Sequence, residues 1–249
     1  MPTERQVYTS EAERYEALIS REDYQHNIEH ALDGIQPVDG LDVIDLGAGT
    51  GRLAVPLAAR ARTMRAFDIS HHMLTVTRDK FRKLAPGPST ALRHSLRSQR
   101  GDSRRVGSQA AVADHRYLPA ASASADLIIS GWSVSYLAVW NPERWREELD
   151  GWMKEVRRVL RPGGTVILLE SLGTGNETPV KLDHLANFYP WLDEAGFQGK
   201  WIRTDYRFES LDEAVELAEF FFGEEMGARV RKERLVVLPE CTGVYWLKT

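Results

Sequence analysis

Val43-Ile44-Asp45-Leu46-Gly47-Ala48-Gly49-Thr50-Gly51 decides how this chain folds. A short β-branched and apolar run breaks into three glycines at alternate positions, and an amphipathic stretch from Arg52 to Ala61 follows at once. The pattern predicts strand, tight turn, helix. Glycine at 47, 49 and 51 lets the backbone reach positive φ and lets a ligand approach the main chain with no Cβ in the way. The amides at the N-terminus of the following helix then face whatever lies over the turn.

The neighbours of this turn restrict its ligand. A dinucleotide loop of the form Gly-x-Gly-x-x-Gly needs glycine at position 52, where Arg stands. A phosphate-cradling loop needs Lys followed by Ser or Thr, and Arg52-Leu53 supplies neither. Next comes Met64-Arg65-Ala66-Phe67-Asp68-Ile69-Ser70, a second short strand ending in an acid. In a doubly wound sheet Asp68 lies at the tip of the neighbouring strand, where a carboxylate accepts bonds from two adjacent ribose hydroxyls. These residues point to a nucleoside with free hydroxyls and no phosphates.

From Val43 to Gly164 the chain resembles, in order, the class I S-adenosylmethionine-dependent methyltransferases. Val43 to Gly51 looks like that family's first motif, and Phe67-Asp68-Ile69-Ser70 with Met73 like its ribose-binding strand end and adenine-packing methionine. Val112-Ala113-Asp114-His115-Arg116-Tyr117-Leu118-Pro119 resembles the third strand end, Ala125 to Ser130 the fourth strand, and Glu155 to Gly164 the helix and turn leading to the fifth. The resemblance implies an α/β, Rossmann-like doubly wound fold. Its seven-stranded sheet is mostly parallel with an antiparallel last strand, and helices at the N-terminus form a lid. It also implies S-adenosyl-L-methionine as cofactor, with Asp45, Gly47, Ala48, Gly49, Asp68, Ile69, Met73, Asp114, His115 and Ser130 around it. Asp114 would accept from the adenine amino group. Asp45 either orders the glycine turn or contacts the cofactor amine.

Composition fits one domain over residues 1–249: 43% hydrophobic and 27% charged residues are ordinary for a globular chain. The sole cysteine, Cys241, excludes an internal disulfide and a thiolate metal cluster, and suits a reducing cytoplasm. Residues 1–14 carry Glu4, Glu11 and Glu13 and no apolar run, unlike a secretory signal. The net charge of −4 argues against nucleic acid or a membrane as partner, leaving a small-molecule methyl acceptor and a monomer or homodimer as the expectation. Residues 84–108 read as a basic, flexible insertion rich in Ser, Gly and Pro, with no aromatic residue for base stacking. His26 and His30 have the i,i+4 spacing of zinc ligands, but no third ligand is in sight, and no metal is expected.

Along the chain, Ser10 and Glu13 form a potential capping box for a helix to Ile19, and a second helix runs from Arg21 to Leu32. These two helices, within residues 1–36, resemble the lid of small-molecule methyltransferases. Strands are expected at 41–46, 64–69, 109–114, 125–131 and 165–170, with helices at 51–61, 71–83 and 142–160. Beyond Glu170 the pattern predicts helix 181–195, strand 200–208, helix 210–222 and a last strand 235–247.

Sequence says less about the acceptor. Tyr15, Tyr24, Trp132 and Tyr136 could wall a sulfonium with aromatic faces, and the three tyrosines are the weak catalytic candidates. The Asn/Asp-Pro-Pro-aromatic signature of base or glutamine methylation has no match after Ser130, and Cys241 lies far from where cytosine C-methylation needs a thiol. Methyl transfer to N or O of a small metabolite is the expectation. A quinone-type C-methyltransferase, a cofactor-binding relative that transfers nothing, and an RNA methyltransferase are the alternatives.

Overall fold

The structure, a computed structural model, describes residues 7–8, 10–84 and 107–249. Apart from its ends, the basic segment 84–108 therefore lies outside the described residues. The strands are β1 (Asp42–Leu46), β2 (Thr63–Asp68), β3 (Gln109–Val112), β4 (Ala125–Gly131), β5 (Leu160–Thr174), β6 (Gln198–Arg203), β7 (Tyr206–Arg207), β8 (Val237–Leu238) and β9 (Glu240–Lys248). Seven of them form one sheet in the order β3-β2-β1-β4-β5-β9-β6, and β7 pairs with β8 in a separate ribbon. Neighbours from β3 to β5 are parallel, while β9 runs antiparallel between β5 and β6. The doubly wound topology places the strand-order reversal at β1 and β4, so their carboxyl ends open the ligand crevice.

Strand β1 is buried along its whole length, as a central strand covered by helices on both faces must be. Its alternate side chains feed opposite cores. Ile44 and Leu46 pack with Ile128, Trp152, Val156 and Trp191, whereas Val43 packs with Leu57, Leu127 and Ile129. Burying each such aliphatic side chain contributes about 1.5–3 kcal/mol.

The helices are α1 (Ala12–Ile19), α2 (Asn27–Asp33), α3 (Ala54–Ala58), α4 (His71–Leu84), α5 (Ser135–Val139), α6 (Trp145–Val159), α7 (Phe188–Glu194), α8 (Leu211–Phe222) and α9 (Glu224–Glu233). A third, smaller core joins Leu18 of α1 to Tyr206, Phe208, Ala218 and Val230. An early and a late stretch of the chain thus share this core. Among the described residues no helix is long and apolar enough to cross a membrane.

The amino end of the sheet is locked by charge. Arg161 donates to Asp126 at 2.6 Å and to Asp42 at 2.8 Å, Arg62 donates to Asp42, and the Asp42 amide donates to Asp126. Hydrogen bonding from Arg62, Thr63 and Arg161 holds the Asp42 carboxyl well below the usual range.

Several elements differ from expectation for physical reasons. The helix expected from 51 begins at Ala54, so Pro56 falls in the first turn, where it needs no amide. Helix α1 begins after Glu11 with no side-chain cap, so the Ser10–Glu13 capping box does not form. The second helix starts only at Asn27, because Asp23 turns the chain there by accepting from the Asn27 and Ile28 amides at 2.8 and 3.0 Å. The strand expected to reach 114 stops at Val112, and the helix expected from 181 starts at Phe188 after a 3-10 turn at Asp183–Leu185. The strand expected at 200–208 divides into β6 and β7, and that at 235–247 begins properly at Glu240. Helix α9 was not anticipated. Its Gly227 reads as a breaker, yet a Cβ there would lie 2.7 Å from Glu219 Cβ, so glycine is what lets α8 and α9 approach.

Candidate functional site

The turn after β1 behaves as its glycines require. Gly47, Gly49 and Gly51 have φ of +72°, +54° and +88°. A Cβ on Gly47 would overlap the Ser133 hydroxyl, and one on Gly51 would sit 2.7 Å from Val55 Cγ2. The loop is tied down by its neighbours: the Gly47 and Ala48 amides donate to the Phe67 carbonyl at 2.8 and 3.0 Å, and Thr77 donates to the Gly49 carbonyl at 2.7 Å.

Asp68 ends β2 facing this loop. Its two oxygens accept one amide each, from Gly49 at 2.8 Å and Ser70 at 2.7 Å, which leaves lone pairs on both for further donors. Burial raises its carboxyl pKa, opposed by those two amides. Beside it Ile69 is 66% exposed, an apolar face at the crevice, while Met73 is buried in the core.

Asp45 is the most unusual group of the turn. It is 1% exposed, the Ala54 amide is a donor close to it, and neither carboxylate oxygen has a well-formed hydrogen bond among the described residues. Burial pushes its carboxyl up to about 7. Burying a carboxylate without donors costs free energy that a bound cation removes.

Across the crevice, Asp114 is a fixed anion. Arg116 donates to it from Nε at 2.9 Å, Nη2 at 2.6 Å and its amide at 2.9 Å, holding the carboxyl below its ordinary value. His115 is kept neutral by burial, which pushes it down to about 4. Its Nε2 lies 3.3 Å from Ser133 Oγ, and its Nδ1 has no partner among the described residues. Ser130 donates to the Leu46 carbonyl at 2.6 Å and bolts β4 to β1. The carboxyl ends of β1, β2, β3 and β4 thereby gather the glycine turn, Asp45, Asp68, Asp114, His115 and Ser130 at one edge of the sheet.

The aromatic candidates divide. Tyr15 and Tyr136 are joined through Tyr8, with ring centroids 5.6 and 6.0 Å from it, and the Tyr8 and Tyr136 hydroxyls are 3.2 Å apart. Tyr15 Cε1 lies 3.9 Å from where a Cβ of Gly49 would be, and burial raises its phenol pKa. Tyr24 lies apart from this group, with its ring under the Arg207 guanidinium. Trp132 has its face covered by Arg52 at 3.9 Å and holds a φ of +49°, a conformation that non-glycine residues seldom adopt.

Sequence reasoning missed a second charged group nearby. Arg52 pairs with Glu22 at 2.6 Å, and the Glu22 side chain is 2% exposed. Glu240, at the start of β9, accepts from Ser171 Oγ at 2.7 Å. The available signal was the Arg directly after the glycines, a cation that needs a partner. Among the described residues no cluster of three or more His, Cys, Asp or Glu is placed to hold a metal ion.

Comparison with known proteins agrees with this geometry. Residues 44–168 match the family model described as a methyltransferase domain. A SAM dependent methyltransferase from Aquifex aeolicus superposes with a TM-score of 0.56 at 15% identity, over 95% of this chain and 96% of that one. The 4+2 cyclase SpnF superposes with a TM-score of 0.56 at 17% identity, over 100% of this chain and 96% of that one. At such identities the likeness is one of fold, and a cyclase among the neighbours means the fold alone does not set the reaction. No curated protein matches the chain in sequence.

Proposed function

The chain belongs to the methyltransferase-domain family, and on that premise we propose that it binds S-adenosyl-L-methionine at the carboxyl edge of β1 and β2 and methylates N or O of a small metabolite. The cofactor supplies an electrophilic methyl group carried on a positively charged sulfur. The chain's residues fit it without a phosphate site. The glycine turn offers bare backbone, Asp68 has spare acceptor capacity for two ribose hydroxyls, and exposed Ile69 offers an apolar face to a base. Asp114 serves the adenine amino group with the lone pairs that Arg116 leaves. The observation that carries the reading is Asp45, a buried carboxylate whose two free oxygens match the donors of the cofactor's ammonium. The protein's own task is then to align the acceptor with the methyl group and exclude water.

Calorimetry with S-adenosylhomocysteine tests the site. We expect tight binding by the native chain and a loss of about 10–100-fold on Asp68→Ala, the worth of a hydrogen bond to a charged group. Unchanged binding overturns the assignment. Label from a methyl-labelled cofactor should pass to a metabolite extract, and label that never leaves the cofactor marks a relative that transfers nothing.

A further inference from the structure

The lid and the glycine turn meet at a group of charges that cofactor binding does not explain. Glu22, on the connection between α1 and α2, forms a bridge to Tyr206 of β7, which brings it to the start of β9. Arg52 joins it from the glycine turn and lies over Trp132 at the end of β4. Glu240 faces the same place from β9, where Ser171 donates to its other oxygen. The neighbouring Asp205 is committed elsewhere, to Arg203 at 2.7 Å and to the Glu240 amide at 2.9 Å.

Three polar atoms in this group are buried without a partner among the described residues: Glu22 Oε1, Glu240 Oε2 and Arg52 Nη2. Glu240 is 2% exposed as a whole residue. Leaving such atoms unsatisfied is costly, most of all for charged groups. What would satisfy them is specific. The Tyr206 hydroxyl interacts with Glu22, yet one oxygen of each carboxylate still needs a donor and one guanidinium N–H an acceptor, and the carboxylates outnumber the guanidinium. A cavity of 370 Å³, lined in part by Ile19, Glu22, Tyr24, Arg52 and Leu53, opens on the Glu22 and Arg52 side of the group, with Glu240 behind them rather than in its wall, and is of small-molecule size.

We propose that Glu22, Glu240 and Arg52 recognise the methyl acceptor, and that this acceptor is a protonated amine with a hydroxyl or carbonyl oxygen close to the nitrogen. The ammonium serves the two glutamates and the oxygen serves Arg52. The inference rests on the methyltransferase reading and narrows it to an amine: the bound ammonium first gives one proton to the Glu240 carboxylate, and the freed nitrogen lone pair then takes the methyl group as its bond to sulfur breaks. Glu22, Arg52, the Tyr206 phenol, the hydroxyls of Ser171 and Thr174, and the adjacent Asp205 and Cys241 are the polar groups around Glu240. Burial, with Glu22 adding to it, pushes the Glu240 carboxyl up to about 8. An arriving cation therefore displaces a proton from Glu240, and binding tightens as pH rises from about 6 to about 8.

Three ring compounds of one shape test it: aminocyclohexanol, cyclohexanediol and hydroxycyclohexanecarboxylate, each with its two groups on neighbouring carbons. Binding is read by saturation-transfer NMR on the full chain, with S-adenosylhomocysteine affinity measured in parallel by calorimetry. The amine should bind at least about tenfold more tightly than the diol, and the acid least. Glu240→Gln and Glu22→Gln should each weaken the amine about tenfold while changing S-adenosylhomocysteine affinity less than about twofold. Equal binding of amine and diol, preference for the acid, binding of none of the three, or amine binding kept by both variants overturns the proposal. If a variant does not fold, the comparison of the three probes on the native chain decides alone. Loss of S-adenosylhomocysteine binding by the native chain would instead overturn the methyltransferase reading beneath it.

Discussion

Asp42 and Asp45 stand on the same buried strand and meet opposite surroundings. At the amino end Asp42 is saturated by Arg62, Thr63 and Arg161, and its carboxyl is held low. At the carboxyl end Asp45 has only the Ala54 amide nearby and no charged partner, and burial holds its carboxyl high. The same contrast extends outward. Asp126 is paired beneath the sheet, while Glu22, Arg52 and Glu240 above it each keep an unsatisfied atom. At one end of the sheet the strand carboxylates are satisfied within the fold, and at the other Asp45, Glu22 and Glu240 keep oxygens without a partner among the described residues. Unmet hydrogen-bonding capacity, more than charge itself, distinguishes the working edge.

The largest test of this contrast is Arg52→Ala. It leaves Glu22 buried with no counter-charge, and we expect a loss of about 3–5 kcal/mol in urea unfolding, the cost of stripping one partner from a buried pair. A loss as small as that of a surface pair would mean that water reaches Glu22. Next in size is Asp45→Asn. The folded-state pKa of Asp45 is raised above the unfolded value, so the folded chain binds the extra proton and loses stability as pH climbs between the two. The amide should therefore raise the melting temperature of the ligand-free protein at about pH 8, by about 1–3 kcal/mol in stability, with the gain fading toward about pH 4. The same variant should bind S-adenosylhomocysteine about tenfold more weakly. Smallest is Asp42→Asn. This carboxyl is depressed, so its contribution is present above the unfolded pKa and lost as pH falls below about 4. We expect a loss of about 1 kcal/mol near neutral pH, after allowance for its partly solvated partners, and no change in cofactor affinity. Opposite signs at Asp42 and Asp45 sharpen the contrast, and equal signs break it.

What could be read from sequence follows the same division. The glycine turn, Asp68 and Asp114 were legible because each lies at or just beyond the end of a strand that the local pattern marks. The parallel run of the early strands followed from alternating strand and helix patterns, and the antiparallel last strand from family likeness. The lid was legible only in part. Glu22, Arg52 and Glu240 come from three distant stretches, and no local period marks a pair of carboxylates that meet only in the folded chain. Tyr8 joins Tyr15 to Tyr136 through ring contacts that spacing does not encode. Arg52 showed itself in sequence only as the residue that breaks a dinucleotide motif. Its partner explains why it is there.

The Arg21 side chain, which bonds Glu213 from 192 residues away, carries a consequence for the order of assembly. On the ribosome, the segment around Tyr15 to Glu22 emerges long before the stretch that receives it, and it must wait unpaired while the central sheet condenses. Contacts of such separation are slow to form. The glycine turn and its carboxylates can thus take shape on the nascent chain early, and the pairing of Arg21 with Glu213 forms only after the stretch around Glu213 has been made.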